Sequence, residues 1–137
     1  MKPLLQLLLI VPLLTTGAIA QPPIRSQKVQ FPNGTSSTAL KGTLKGDLTV
    51  DYLVMANAGH TLSVTLKTSN KSNYFNVTPQ GEDAAIFIGS TSGNEYKGIL
   101  PKSGEYTIRV YLMRNAARRN ESANYTLTIA LTGQPHP

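Results

Sequence analysis

An all-β fold is what this sequence predicts: an antiparallel β-sandwich of about seven to nine strands in a single domain. Three observations predict it. Apolar side chains recur at every second position through most of the chain, the period of a strand with one buried face. Turn residues punctuate those runs at short, regular spacing, as in "PNG" at Pro32, "PQGED" at Pro79 and "PKSG" at Pro101. No window of ten or more residues carries the period of an amphipathic helix.

The first segment is an exception to the fold. Lys2, the apolar stretch Leu4 to Leu14 and Ala18-Ile19-Ala20 read as a signal peptide over residues 1–20, with an A-x-A cleavage site. The apolar stretch falls short of the roughly 20 residues a membrane span needs, so no membrane insertion is expected. No cysteine follows it, which excludes a lipid-anchored form. The expected mature chain starts at Gln21 and has 117 residues (137 − 20), enough for one core. Residues 21–27, with Pro22 and Pro23, read as a loose N-terminal arm, residues 28–132 as the sandwich and residues 133–137 as a tail.

Within the domain, "DLTVDYLV" places Leu48, Val50, Tyr52 and Val54 on one face. The turn "NAGH", with Gly59, joins it to "TLSVTL" as a hairpin would. Further short strands are read in "YFNV", "AIFIG" and "YKGIL". Tyr106, Ile108, Val110 and Leu112 alternate in one late strand, and Tyr125, Leu127, Ile129 and Leu131 in the last. Between these two lies "RNAARRN", with the propensity for one helical turn. Leu62, Val64, Leu66, Ile108, Val110, Leu127 and Ile129 are the predicted inner faces. Thr61, Ser63, Thr65, Thr107, Thr126 and Thr128 are expected to be largely exposed.

Composition narrows the chemistry. The chain has no cysteine, so a packed apolar core must supply its stability and thiol chemistry is excluded. His60 in a turn and His136 in the tail have no neighbouring nucleophile motif. Asp47 and Asp51 share a strand face, but at about 13 Å they are too far apart for a compact acid–base pair. An enzyme is therefore not expected. Asp47, Asp51, Glu82 and Asp83 are oxygen ligands without a calcium-loop pattern, so neither metal nor cofactor is expected. N-x-S/T sequons at Asn33, Asn70, Asn76, Asn120 and Asn124 fit an Asn-, Ser- and Thr-rich β-protein.

Removing Lys2 with the leader leaves a net charge of +5 (12 basic minus 7 acidic), which favours anionic partners. Arg114, Arg118 and Arg119 concentrate that charge on one connection. The bland reading is a solvated, solubilising loop. Nucleic acid is a poor partner for an exported chain with few aromatics near its basic residues. The connection also lacks the Trp, Phe or Leu face of a membrane-surface helix. An acidic protein cleft remains, and arginine suits it because its planar fork holds a carboxylate through two hydrogen bonds.

The C-terminal half, "LPKSGEYTIRVYLMRNAARRNESANYTLTI", resembles the periplasmic inhibitors of goose-type (g-type) lysozyme. The features are an SG(x)xY motif at Ser103-Gly104-Glu105-Tyr106, an Arg-Asn-x-Ala-Arg loop from Arg114, and a closing strand beginning near Asn124-Tyr125. Upstream, "FPNGTSSTALKGTLKGDLTVDYLVMANAGHTLSVTL" follows the family's order, whereas residues 67–98 match poorly. The resemblance implies a periplasmic, or otherwise secreted, β-sandwich inhibitor that occludes a g-type lysozyme's substrate cleft. It also implies partner-contacting roles. Ser103 and Gly104 would form a tight turn entering the cleft. Arg114 and Arg118 would meet its carboxylates, Tyr52 would add flat contact area, and Tyr106 would complete the motif. A second match to the motif, Ser92-Gly93-Asn94-Glu95-Tyr96, is an alternative inserted loop. The ending "GEYTIRVY … NYTLTI" also resembles the bacterial pre-peptidase C-terminal domain, in which Tyr106 would be core. That likeness implies an alternative function, a non-catalytic binding module for carbohydrate or cell-envelope polymer.

Overall fold

The computed structural model describes Pro12 and residues 23–133. The signal-peptide reading, Gln21 and His136 lie outside the described residues. Nine strands and two short helices follow in order: β1 Ile24–Lys28, β2 Ser37–Lys45, β3 Thr49–Ala56, β4 Thr61–Thr68, β5 Asn73–Pro79, β6 Phe87–Ile88, α1 Gly89–Ser92, β7 Glu95–Ile99, β8 Gly104–Leu112, α2 Arg114–Arg118 and β9 Ser122–Thr132. They form a five-stranded sheet, β1-β3-β8-β5-β6, facing a four-stranded sheet, β2-β9-β4-β7. All pairings are antiparallel except β1 with β3. No helix among the described residues is long and apolar enough to cross a membrane.

Period-two patterning identifies the buried faces correctly. Leu62, Val64, Leu66, Ile108, Val110, Leu127 and Ile129 are all buried in one core between the sheets. The outward neighbours differ from expectation. Thr61, Ser63, Thr65, Thr107 and Thr126 are half-buried, and Thr128 alone of the six is exposed. Strands lie only about 4.8 Å apart, so adjacent side chains on an outer face shade one another.

Pairing is where local reading fails. Of the seven strand pairings among the described residues, β5 with β6 alone joins consecutive strands. The 57–60 turn, expected to close a hairpin, instead carries the chain from β3 in one sheet to β4 in the other. The expected loose arm is also corrected, because Ile24–Lys28 form a strand that covers the edge of β3 in parallel register. All five of its side chains are exposed, so it is held through backbone hydrogen bonds and leaves no alternation to read.

Two packing details close the sandwich. Phe75, fully buried on β5, packs at a tilt against Phe87 at 5.1 Å between ring centroids, and Phe87 likewise against Tyr96 at 5.2 Å. This run of rings links the β5–β6 edge of one sheet to β7 of the other. Across the core, the Tyr52 and Tyr125 hydroxyls share a 2.6 Å hydrogen bond. The Tyr125 ring fills the place where Gly42 lacks a side chain, and a Cβ there would lie 2.3 Å from the hydroxyl. Gly42→Ala must therefore displace a buried, hydrogen-bonded ring. We expect a loss of about 1–3 kcal/mol from overpacking, read as a lower urea midpoint at unchanged m-value.

Candidate functional site

The arginine connection is built by the end of β8. Leu112 is the last buried residue of that strand, and the Met113 amide donates to the Ser72 carbonyl at 2.9 Å. The chain then makes the single turn α2. Ala116 is fully buried and plugs this end of the core, which turns Arg114 and Arg118 to solvent. Their spacing of four residues puts them on one helical face, about 5–6 Å apart at Cβ. Neither has a carboxylate within ion-pair distance among the described residues.

The turn is clamped from three sides. Asn120 adopts a left-handed backbone, φ 55°, and ends the helix as an αL cap does. The amides of Asn120 and Glu121 donate to the carbonyls of Ala117 and Ala116 at 2.9 and 3.1 Å. Gly46, in the β2–β3 turn, donates its amide to the Glu121 carbonyl at 2.9 Å. The Glu121 carboxylate accepts from Asn70 Nδ2 at 3.0 Å and from Arg119 Nε at 2.7 Å. Those hydrogen bonds, Asn70 first and then Arg119, hold its pKa below the usual carboxylate range. Arg119 is thus spent on holding the turn, while Arg114 and Arg118 line a shallow hollow of about 380 Å3 with Gly46, Asp47, Ala117 and Asn120. Sequence reading missed Gly46, Asn70 and Glu121 as positioning residues. Asn120 after a short helical run, with Glu121 beside it, was a legible cap signal; Gly46 and Asn70 are joined to the turn only in space.

The remaining expected site residues lie elsewhere. Tyr52 is 3% exposed, so its proposed flat contact area is unavailable to a partner. Burial, and secondarily the bond to Tyr52, raises the Tyr125 hydroxyl pKa far above its ordinary value. Tyr106 is 1% exposed, and its hydroxyl donates to the Lys102 carbonyl at 2.6 Å. This is the bond of a tyrosine corner, four residues back across the start of a strand. Tyr106 is therefore a core and loop-pinning residue with almost no free surface. Ser103 is exposed, but its hydroxyl accepts the Ala58 amide at 2.8 Å, tying two turns together. Gly104 has φ 145°, a conformation that favours glycine. The SG(x)xY motif thus works here as a strand-entry corner. In the second copy, Ser92 ends α1 and Tyr96 packs on Phe87.

Ser103-Gly104 and Arg114–Arg118 do not come together. They stand at the two ends of β8, whose nine residues span about 30 Å at roughly 3.4 Å each. One narrow opening would therefore admit one of the two turns at a time. The two ends also differ in charge. Loops 46–48, 69–72 and 113–121 carry four basic and two acidic residues, net +2. Loops 29–36, 57–60, 80–86 and 100–103, at the Ser103 end, carry one basic and two acidic residues, net −1.

Comparison with known proteins adds to this geometry. No family model matches the chain. The inhibitor of g-type lysozyme of Escherichia coli K12 is 27% identical over 135 residues, covering 95% of this chain and 97% of its own. The crystal structure of Aeromonas hydrophila PliG, a periplasmic lysozyme inhibitor of g-type lysozyme, superposes with a TM-score of 0.73. It is 34% identical, and the match covers 80% of this chain and 98% of that one. The chain belongs to the family of periplasmic inhibitors of g-type lysozyme. Family membership places it among inhibitors and not among enzymes. The pre-peptidase C-terminal domain of a Bacillus anthracis collagenase also superposes, with a TM-score of 0.53 at 16% identity over 82% of this chain and 99% of that one. At that identity it shows a shared sandwich fold, so the family membership governs the functional reading.

Proposed function

We propose that the protein is a periplasmic inhibitor of a g-type lysozyme, and that the α2 end of the sandwich is the part that enters the enzyme's cleft. Likeness over nearly the whole length of two such inhibitors supports the first statement. The single observation that carries the second is the pair Arg114 and Arg118, exposed on one helical face without an ion-pair partner among the described residues, while Arg119, Asn120 and Glu121 beside them are fastened. A pre-fastened turn lowers the ordering cost of association. In the cleft, each guanidinium would hold a carboxylate through its planar fork, occupying an acid that hydrolysis requires. The Ser103 end carries the opposite net charge, and its serine hydroxyl is already engaged.

The test is a turbidity assay on bacterial cell walls with a g-type lysozyme and purified mature protein. Dose-dependent loss of lysis at near-stoichiometric inhibitor is the expected result. Unchanged lysis at large excess, with c-type and i-type lysozymes equally unaffected, would overturn the reading.

A further inference from the structure

We propose that the outer face of the five-stranded sheet carries a saccharide-binding groove centred on Asp51 and Arg109, separate from the α2 end. Strand register builds its floor. Asn76, Arg109 and Asp51 stand in one row across β5, β8 and β3, and Thr78 and Thr107 are paired neighbours in the next. The loop after β5 rises as one wall, held by the Ile86 amide on the Val77 carbonyl at 2.8 Å and by Lys102 on Glu82 at 3.1 Å. Together they enclose a groove of about 710 Å3. That volume is within the range of roughly 300–1,000 Å3 occupied by small-ligand sites.

The chemistry of the lining selects the ligand. Arg109 donates from Nε and Nη2 to the two oxygens of Asp51, at 2.7 and 2.9 Å, and Asp51 is 8% exposed. This fork uses two of the guanidinium's five donors and leaves lone pairs on the carboxylate. Asn76 Oδ1 already accepts from the Tyr111 hydroxyl at 3.0 Å and the Gly89 amide at 3.3 Å. Its amino group is therefore the free end of the amide, and it has no protein acceptor among the described residues. Thr78 and Thr107 add hydroxyls, while Ala84, Ala85 and Ile88 make an apolar side wall. Charges in and around the groove nearly balance, with Arg109 and Lys102 against Asp51, Glu82 and Asp83, so a strongly anionic ligand is not favoured. A neutral ligand with adjacent hydroxyls and an apolar C–H face fits. One hydroxyl donates to the carboxylate, its neighbour accepts from the guanidinium or the Asn76 amide, and the ring rests on the apolar wall.

Titration of 15N-labelled mature protein with chitotetraose, cellotetraose and maltotetraose tests this by amide chemical shift. At least one sugar should give saturable shifts confined to residues 51, 76–88 and 107–109, with Kd of about 0.1–5 mM. Thr107→Tyr fills the groove from mid-strand without replacing either member of the ion pair, and Ala84→Trp fills it from the exposed wall. Either variant, with an unchanged melting temperature, should weaken binding at least about tenfold, while lysozyme inhibition stays at the wild-type level. Absence of saturable shifts for all three sugars at about 20 mM overturns the proposal. Binding that survives both filled grooves overturns it equally. Neither result bears on the inhibitor reading, which the lysis assay decides.

Discussion

Arg114→Ala/Arg118→Ala is expected to abolish inhibition of a g-type lysozyme while leaving the fold intact. The two side chains are exposed in the free protein and make no ion pair among the described residues, so truncation removes little stabilising contact. Ala116, which seals the core beneath them, is untouched. In the complex the balance differs. A carboxylate of the enzyme that has been desolvated loses its partner, at a cost of about 2–5 kcal/mol for each such pair. The double variant should therefore raise the inhibitory concentration by at least two orders of magnitude at a melting temperature within about 2 °C of wild type. Arg119→Ala should act differently, because Arg119 holds Glu121 and so shapes the turn from within. Association of the wild type should also slow as salt rises, since steering is screened over about 8–10 Å at ordinary ionic strength. A double variant that inhibits as well as wild type would show that α2 is a solvated connection.

Phe75→Ala is expected to be the most destabilising single truncation at the β5–β6 edge. The ring is fully buried, and it is the inner member of the Phe75–Phe87–Tyr96 run that closes one side of the sandwich. Its removal leaves a cavity lined by Phe87 and neighbouring core residues, for a loss of about 3–5 kcal/mol. α1 should loosen with it. Gly89 lies so close to β5 that a Cβ there would meet the Phe75 carbonyl oxygen at 2.4 Å, so the helix depends on the path of this strand. Urea unfolding followed by tyrosine fluorescence is the measurement. A loss below about 1 kcal/mol would mean that the edge collapses around the gap.

Residues 24–28 and 89–92 show where reading the sequence stops working. The first segment has no buried side chain, so its strand carries no periodic signal. The second, α1, has four residues, shorter than the window in which any period can be counted.

The site divides along the same line. That Arg114 and Arg118 form an exposed basic pair was legible because charge and a four-residue spacing are properties of one short segment. The burial of Tyr52 and Tyr106 was not legible, because motif position does not say which way a side chain faces a second sheet. By itself the sequence determined the strand faces, the composition of the core and the basic connection, since alternation and charge are local. Tertiary structure alone decided which strands pair, that Ser103 and Arg114 stand about 30 Å apart, and that Gly46, Asn70 and Glu121 fasten the arginine turn. Those relations depend mainly on backbone hydrogen bonds between segments distant in the chain, which almost any residue type can make, and on one side-chain bond, Asn70 to Glu121, whose partners lie far apart in sequence.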